Sequence, residues 1–178
     1  MSCSVTKGRT EPCLGTVGGI KAFYALNFLE DAFTVASGEA TAIDVGVTEV
    51  FKYDLEGDTN NDFQETQTVD RATGTAVNEQ VLTLMLKKLS AQSSVELALL
   101  VKSRAIVVVQ DNMDNYRIMG LKRGVSGSVN PVTGTSLSDA NGYNVTLNGK
   151  EDALAPFLDS ATITALEALV SATNIDDI

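Results

Sequence analysis

Histidine is absent from all 178 residues. That absence removes the commonest general base and the commonest zinc ligand at once. No Ser-His-Asp or Cys-His constellation can be built within the chain. Cysteine is scarce: there are two, Cys3 and Cys13. Met1 to Lys7 lacks the apolar core of a signal peptide, so two free thiols are expected rather than a disulfide. No apolar run approaches the roughly 20 residues a membrane helix needs, and no membrane partner is expected. Bases are outnumbered, 13 against 23 acids, for a net charge of −10. The basic group Lys87, Lys88, Lys102, Arg104, Lys122 and Arg123 lacks interleaved aromatics, so nucleic-acid recognition is disfavoured. There is no glycine-rich phosphate loop with its lysine. Ser4 to Lys7 fits Ser-x-x-Lys, but the partner motifs Ser-Asp-Asn and Lys-Thr-Gly are missing, which leaves a coincidence. No enzyme and no cofactor are expected.

What the chain does have is one strongly patterned stretch, Glu79 to Met119. Leu82, Leu84 and Leu86 alternate with Val81, Thr83, Met85 and Lys87, which predicts a strand with one apolar face. Lys88 to Ser103 changes period. Ser93 or Ser94 can cap a helix, with Val95, Leu99 and Lys102 on one stripe. Leu97, Leu100 and Val101 widen the apolar surface, so this helix is expected to pack against a sheet and something else. Ala105 to Val109 is nearly all β-branched, as in a strand buried on both faces. Asp111 to Asn115 is a polar turn, with Tyr116 to Met119 returning as its hairpin partner up to Gly120.

Around this unit the expectations run in chain order. Residues 1–19, broken by Gly8, Pro12, Gly15, Gly18 and Gly19, read as an arm. Ile20 to Phe28 is a strand with Ala22, Tyr24 and Leu26 on one face and Phe23 and Ala25 on the other. Ala32 to Val35 and Ala42 to Val45 are short extended pieces. Glu49 to Leu55 is an aromatic strand. Glu56 to Asn61 is an exposed turn, Phe63 to Val69 is extended, and Arg71 to Thr75 turns again into the long strand. Gly124 to Asn141 reads as a long loop. Tyr143 to Leu147 alternates as a strand, and Asn148-Gly149 is expected to turn it. Thr162 to Ala172 has a helical pattern with Ser160 as cap, followed by a polar tail. The length favours one domain, divided here into an arm (1–19), a β body (20–159) and a C-terminal helix and tail (160–178). The fold class expected is mainly β: an antiparallel sandwich or barrel with a flanking helix.

Charge is unevenly spread. Residues 31–80 hold eleven acids against Lys52 and Arg71, while residues 81–123 have a surplus of bases. An acidic block of this kind is read either as a solvated surface or as one that repels polyanions or docks to a basic patch on a copy of itself. Asp54, Glu56, Asp58 and Glu65 fall at positions 1, 3, 5 and 12 of a calcium hand. Position 6, which needs Gly, is Thr59, and the flanks are extended, so no metal site is expected. Asn144 to Thr146 is a glycosylation sequon by pattern, within a predicted strand.

Several segments together resemble one known family. They are Lys21–Phe28 (KAFYALNF), Val50–Asp54 (VFKYD) leading into Gly57–Asn61 (GDTNN), and Phe63–Gln67 (FQETQ). The long strand, helix and hairpin follow, and then Ser138–Tyr143 (SDANGY) and Val145–Glu151 (VTLNGKE). In this order, over Ile20 to Leu158, the chain resembles the tail tube proteins of tailed bacteriophages, a family similar to injection-system tubes. The resemblance implies two packed sheets with a flanking helix, and six subunits to a ring. The rings would stack into a conduit for genome and ejected proteins. A long hairpin loop and the terminal segments would bridge rings. By resemblance the bridging loop is Leu55 to Ala76, with Asp54, Glu56, Asp58, Asp62, Glu65 and Asp70 as its acids. Glu79 is a candidate lumen acid, along with those same acids. The partners implied are copies of the chain itself, other virion tail or head-tail joining proteins, and DNA passing through without specific binding. The location implied is the virion tail, assembled in the host cytoplasm. Two further readings stand beside it. One is a ring or adaptor protein of the head-tail junction. The other is a calcium- or carbohydrate-binding β-sandwich.

Overall fold

A computed structural model describes residues 7–55 and 60–171. The protein is mainly β, with eleven strands in one large mixed sheet and two helices among the described residues. The strands are β1 (Ile20–Asn27), β2 (Phe33–Ala36), β3 (Glu39–Ile43), β4 (Phe51–Asp54), β5 (Asp62–Asp70) and β6 (Thr75–Lys87), then β7 (Ala105–Asp111), β8 (Tyr116–Met119), β9 (Val125–Val132), β10 (Gly142–Glu151) and β11 (Phe157–Leu158). Helix α1 (Ala91–Lys102) lies between β6 and β7, and α2 (Ser160–Ala168) follows β11.

The β-branched strand β7 is the centre. One edge pairs with β1 from Ala105 to Asp111. Its other edge pairs with β8 through Val107–Gln110 and, at Ala105 alone, with Val125 of β9. From there the order runs β9-β10-β6-β5 on one side and β8-β11-β3-β2 on the other, while β4 lies outside β1. The β11–β3 pair is parallel, so the sheet is mixed rather than purely antiparallel as the pattern suggested.

Period-two alternation sends successive residues of β1 and β7 to opposite faces, and each face enters its own core. Phe23, Ala25, Ala105, Val107 and Val109 pack with Leu82, Leu84, Val125, Tyr143, Val145 and Leu147, and with Leu97 and Leu100 of α1. Ala22, Tyr24, Leu26, Ile106 and Val108 pack with Phe33, Ala40, Tyr116, Ile118 and Leu158, and with Leu166 of α2. The two faces expected for β1 and the double burial expected for β7 are both found.

Four local expectations differ from the structure. The loop expected over Gly124–Asn141 is a strand as far as Val132. Val125 is buried, Val129 packs against the first core, and the intervening Ser126, Ser128 and Asn130 are exposed. Ser, Asn and Gly suit that position because β9 borders solvent. The Asn148-Gly149 turn is instead mid-strand, with β6 on one side of β10 and β9 on the other. At Gly149 a Cβ would stand 3.1 Å from Gln80 Oε1, a tight contact that the glutamine would have to relieve. The cap of α1 is Ser90, whose Oγ accepts from Ser93 N–H at 3.0 Å. That start rotates the helix so that Ser93, Leu97 and Leu100 face inward, while Val95 and Leu99 are exposed. The cap of α2 is Asp159, which accepts from Thr162 N–H at 2.7 Å, not Ser160. The polar tail lies outside the described residues.

Helix α1 is pinned to the sheet at its first turn. Tyr143 Oη donates to Ser90 O at 2.8 Å, accepts from Ser90 N–H at 3.1 Å and lies 2.6 Å from Ser94 Oγ. Tyr143→Phe keeps the ring in the core and takes away the acceptor of the Ser90 N–H. It is expected to lower stability by about 1–3 kcal/mol, read from the urea midpoint at unchanged m-value.

Candidate functional site

The acids singled out in the sequence do not form one site. Asp54 closes β4, exposed, with Lys52 Nζ at 2.8 Å. The lysine's hydrogen bond to Asp54, with the charge of that carboxylate, raises the Lys52 pKa from its ordinary value. Glu56 and Asp58 lie outside the described residues. Asp62 opens β5 and accepts from Gln64 Nε2 at 2.6 Å. Asp70 closes β5 and accepts from Ala72 N–H at 2.8 Å, which with a bond from Thr73 holds its carboxyl below the usual range. Glu79 is exposed opposite Lys150 in the β6–β10 register, with Lys150 Nζ at 2.8 Å. Its charge is therefore paired rather than projected alone. Among the described residues no group of three acid or thiol side chains could hold a metal ion.

Glu65 is different in kind. Its side chain is only 4% exposed. It accepts from Arg117 Nη2 at 2.6 Å, Gln80 Nε2 at 3.0 Å and the Ala155 amide at 2.8 Å. Arg117 lies between the rings of Phe63 and Phe157, at 5.0 and 5.2 Å. Gln80 Oε1 in turn accepts from Gly120 N–H at 3.0 Å, and Glu151 accepts from the amides of Lys122 and Arg123. A buried polar layer thus ties β5, β6 and β8 to the 120–123 turn and to Ala155. The sequence reading missed Arg117, Gln80, Asn78 and Glu151. A signal was present: Asn78 and Gln80 are in phase with Leu82 and Leu84, so all four point inward. Asn78 is fully buried with no hydrogen-bond partner for its amide.

This layer anchors a projecting ribbon. Beyond the last β6–β10 pair, Asn78↔Glu151, the hairpin continues with only two strands, Thr68–Asp70 against Thr75–Val77. Every residue from Thr66 to Val77 is exposed, including Val69 at 62%. The outer edge of β5 has no strand partner among the described residues, nor has that of β2.

The outer face of β5-β6-β10-β9 is set by register. Across the strands run Asp62, Thr83, Thr146 and Ser128, and then Gln64, Val81, Asn148 and Ser126. It is a face of hydroxyls and amides with few charges. The sequon residue Asn144 lies on it.

A groove of about 1230 Å³ opens between β4, the end of β6 and α1. Its lining includes Tyr53, Leu55, Leu86, Leu97 and Leu100. Tyr53 stacks on Phe23, with ring centroids 4.5 Å apart. Burial, with Glu96 nearby, raises its hydroxyl pKa. The basic residues are used locally. Arg104 lies over the Phe28 ring and donates to the carbonyls of Arg123 and Lys122, and Lys122 pairs with Asp152 at 2.9 Å. No family model, curated protein or solved structure matches the chain.

Proposed function

We propose that this chain is a structural subunit that assembles with copies of itself into rings stacked as a tube, in the manner of the tail tube proteins it resembles. In this reading β9-β10-β6-β5 form one layer of a sandwich and the remaining strands the other. The rings, likened to hexamers, belong to a virion tail assembled in the host cytoplasm. Other tail or head-tail joining proteins meet the tube's ends, and DNA passes through the lumen without specific binding.

The observation that carries it is the projecting β5–β6 ribbon. A two-stranded ribbon in water is marginal by itself, and an open strand edge is a template for another chain. Selection against stray pairing shortens or covers such edges. Here one runs past the body with Val69 and Val77 exposed. A neighbour that accepts the ribbon satisfies its peptide groups, and a head-to-tail contact closes into a ring when its rotation does. In a closed ring the layer that carries α2 takes the outer radius. The hydroxyl and amide face of β5-β6-β10-β9 then turns to the axis. Glu79 sits on that face, paired with Lys150, and the wall offers no basic stripe for DNA to adhere to.

Negative-stain microscopy and sedimentation over a hundredfold concentration range test this. Stacked rings or tubes are expected. A single closed ring that never stacks favours the adaptor reading. A monomer at every concentration overturns both.

A further inference from the structure

We propose that Asn141 and Gly142, where β10 begins, form a self-modification site. The Gly142 nitrogen closes on the Asn141 carboxamide, and water reopens the ring as aspartate or isoaspartate. In the first step a bond forms between Gly142 N and Asn141 Cγ, and the Cγ–Nδ2 bond breaks. The Gly142 amide proton leaves with the departing nitrogen, and ammonia is released. In the second step water adds at one of the two ring carbonyls and splits its bond to nitrogen. Water is the only co-reactant, so the rate is set by this chain's own structure, and the step is independent of assembly. Asparagine followed by glycine occurs twice, at Asn141–Gly142 and at Asn148–Gly149. Glycine suits the closure because no Cβ crowds the attacking nitrogen. Three features single out the first of the two.

First, it lies where the ladder ends. Asn141 precedes β10 and is exposed. Gly142 pairs with Lys87 and with Val132, the last residues of β6 and β9. A terminal rung opens more readily than a central one. Asn148 is the contrast within the same strand. It is exposed too, but Val81 of β6 and Ser126 of β9 pair with it on either side. Second, Leu89 N–H donates to Asn141 Oδ1 at 3.3 Å. Attack at Cγ places negative charge on that oxygen, and a donor already aimed at it stabilises the charge. No such donor meets the Asn148 carboxamide among the described residues.

Third, packing holds both residues in place. A Cβ at Gly142 would collide with the Leu86 carbonyl oxygen, so no other residue fits there. Asn141 clasps the turn between β6 and α1. Its main-chain oxygen accepts from Lys88 N–H at 2.8 Å, while its side chain accepts from Leu89 N–H. Lys88 sits at φ 65°, in the left-handed region that residues other than glycine rarely adopt, and the helix cap Ser90 follows directly. Isoaspartate inserts a methylene into the main chain at this clasp, so the two acceptors no longer meet the two amides together. Aspartate keeps the ordinary backbone and keeps the clasp. The isoaspartyl product therefore releases the first turn of α1 slowly, as the molecule ages.

Peptide mapping by mass spectrometry tests this on full-length protein kept folded in mildly alkaline buffer at body temperature. Protein isoaspartyl methyltransferase with labelled methyl donor reads the isoaspartyl product separately. The peptide with Asn141 is expected to gain about one dalton at least tenfold faster than the peptide with Asn148. In urea, where both ladders are gone, the two sites should react at similar rates. Asn141→Gln should abolish the fast component. Amide exchange at Ser93 and Ser94, in the first turn of α1, should be faster in the isoaspartyl fraction than in fresh protein. Equal rates at the two sites in the folded protein, or a faster Asn148, overturn the proposal. Isoaspartate at 141 with unchanged exchange in α1 overturns the release of the helix and leaves the modification site standing.

Discussion

Glu65→Ala is expected to destabilise the protein by about 3–5 kcal/mol, the range for breaking a buried ion pair from one side. The reason is what remains. Arg117, Gln80 and the Ala155 amide all donate to the Glu65 carboxylate, and alanine leaves three donors facing a gap. Arg117 has no alternative acid in the described contacts, and its Nε is buried without a partner. For a domain of this size about 2–4 °C is lost per kcal/mol, so the melting temperature should fall by roughly 6–20 °C. Removing the arginine as well should cost less than the two single losses summed, because the second substitution deletes an unpaired charge. Additive losses in that double-mutant cycle would show that Glu65 acts by packing alone. The projecting ribbon should loosen first, since Glu65 is its tie to β8. Faster amide exchange at Thr66–Val77 than in β10 is the measurement that shows it.

Phe23→Ala should cost a similar amount, about 3–5 kcal/mol, as for other large-to-small changes at buried aromatics. Phe23 is fully buried and stacks on Tyr53. It lies in β1 opposite Val109 and Tyr53, so its loss hollows the core shared by both parts of the sheet. It also withdraws the support under Tyr53 in the groove. Urea unfolding at 25 °C reads the stability change. A loss below 1 kcal/mol would mean that the core collapses around the gap and that β1 is not a fixed element.

The contrast between these two positions shows what the sequence could convey. Phe23 was legible because its neighbours alternate, and alternation is a local signal. The double burial of Val107 and Val108 was legible for the same kind of reason: a β-branched run leaves no polar face. Glu65 was not. Among Gln64, Thr66 and Gln67 it looks like one more solvated polar residue, and its partner lies 52 positions away. Strand β9 was obscured because its outward side chains are Ser and Asn, which on their own read as loop. The inward face of α1 depended on the cap. Three serines and a glutamine near its start left several registers open, and the Tyr143 hydroxyl selects among them from across the chain. The candidate acids were legible as an acidic block but not as individuals. Asp54 pairs within its own strand, but the pairing of Glu79 with Lys150 and of Glu65 with Arg117 depends on how strands come together, which no single segment encodes.

The single rung between β7 and β9 has a mechanical consequence. Elsewhere in the sheet, neighbouring strands such as β6 and β10 share ten residue pairs. Across this seam only Ala105 and Val125 are joined. A load that tries to slide one part of the sheet along the other meets almost no backbone resistance there, and what opposes it is the interlocked side chains of the common core. Such a joint yields by small shear and recovers, so in the assembly proposed above curvature would be absorbed inside each subunit.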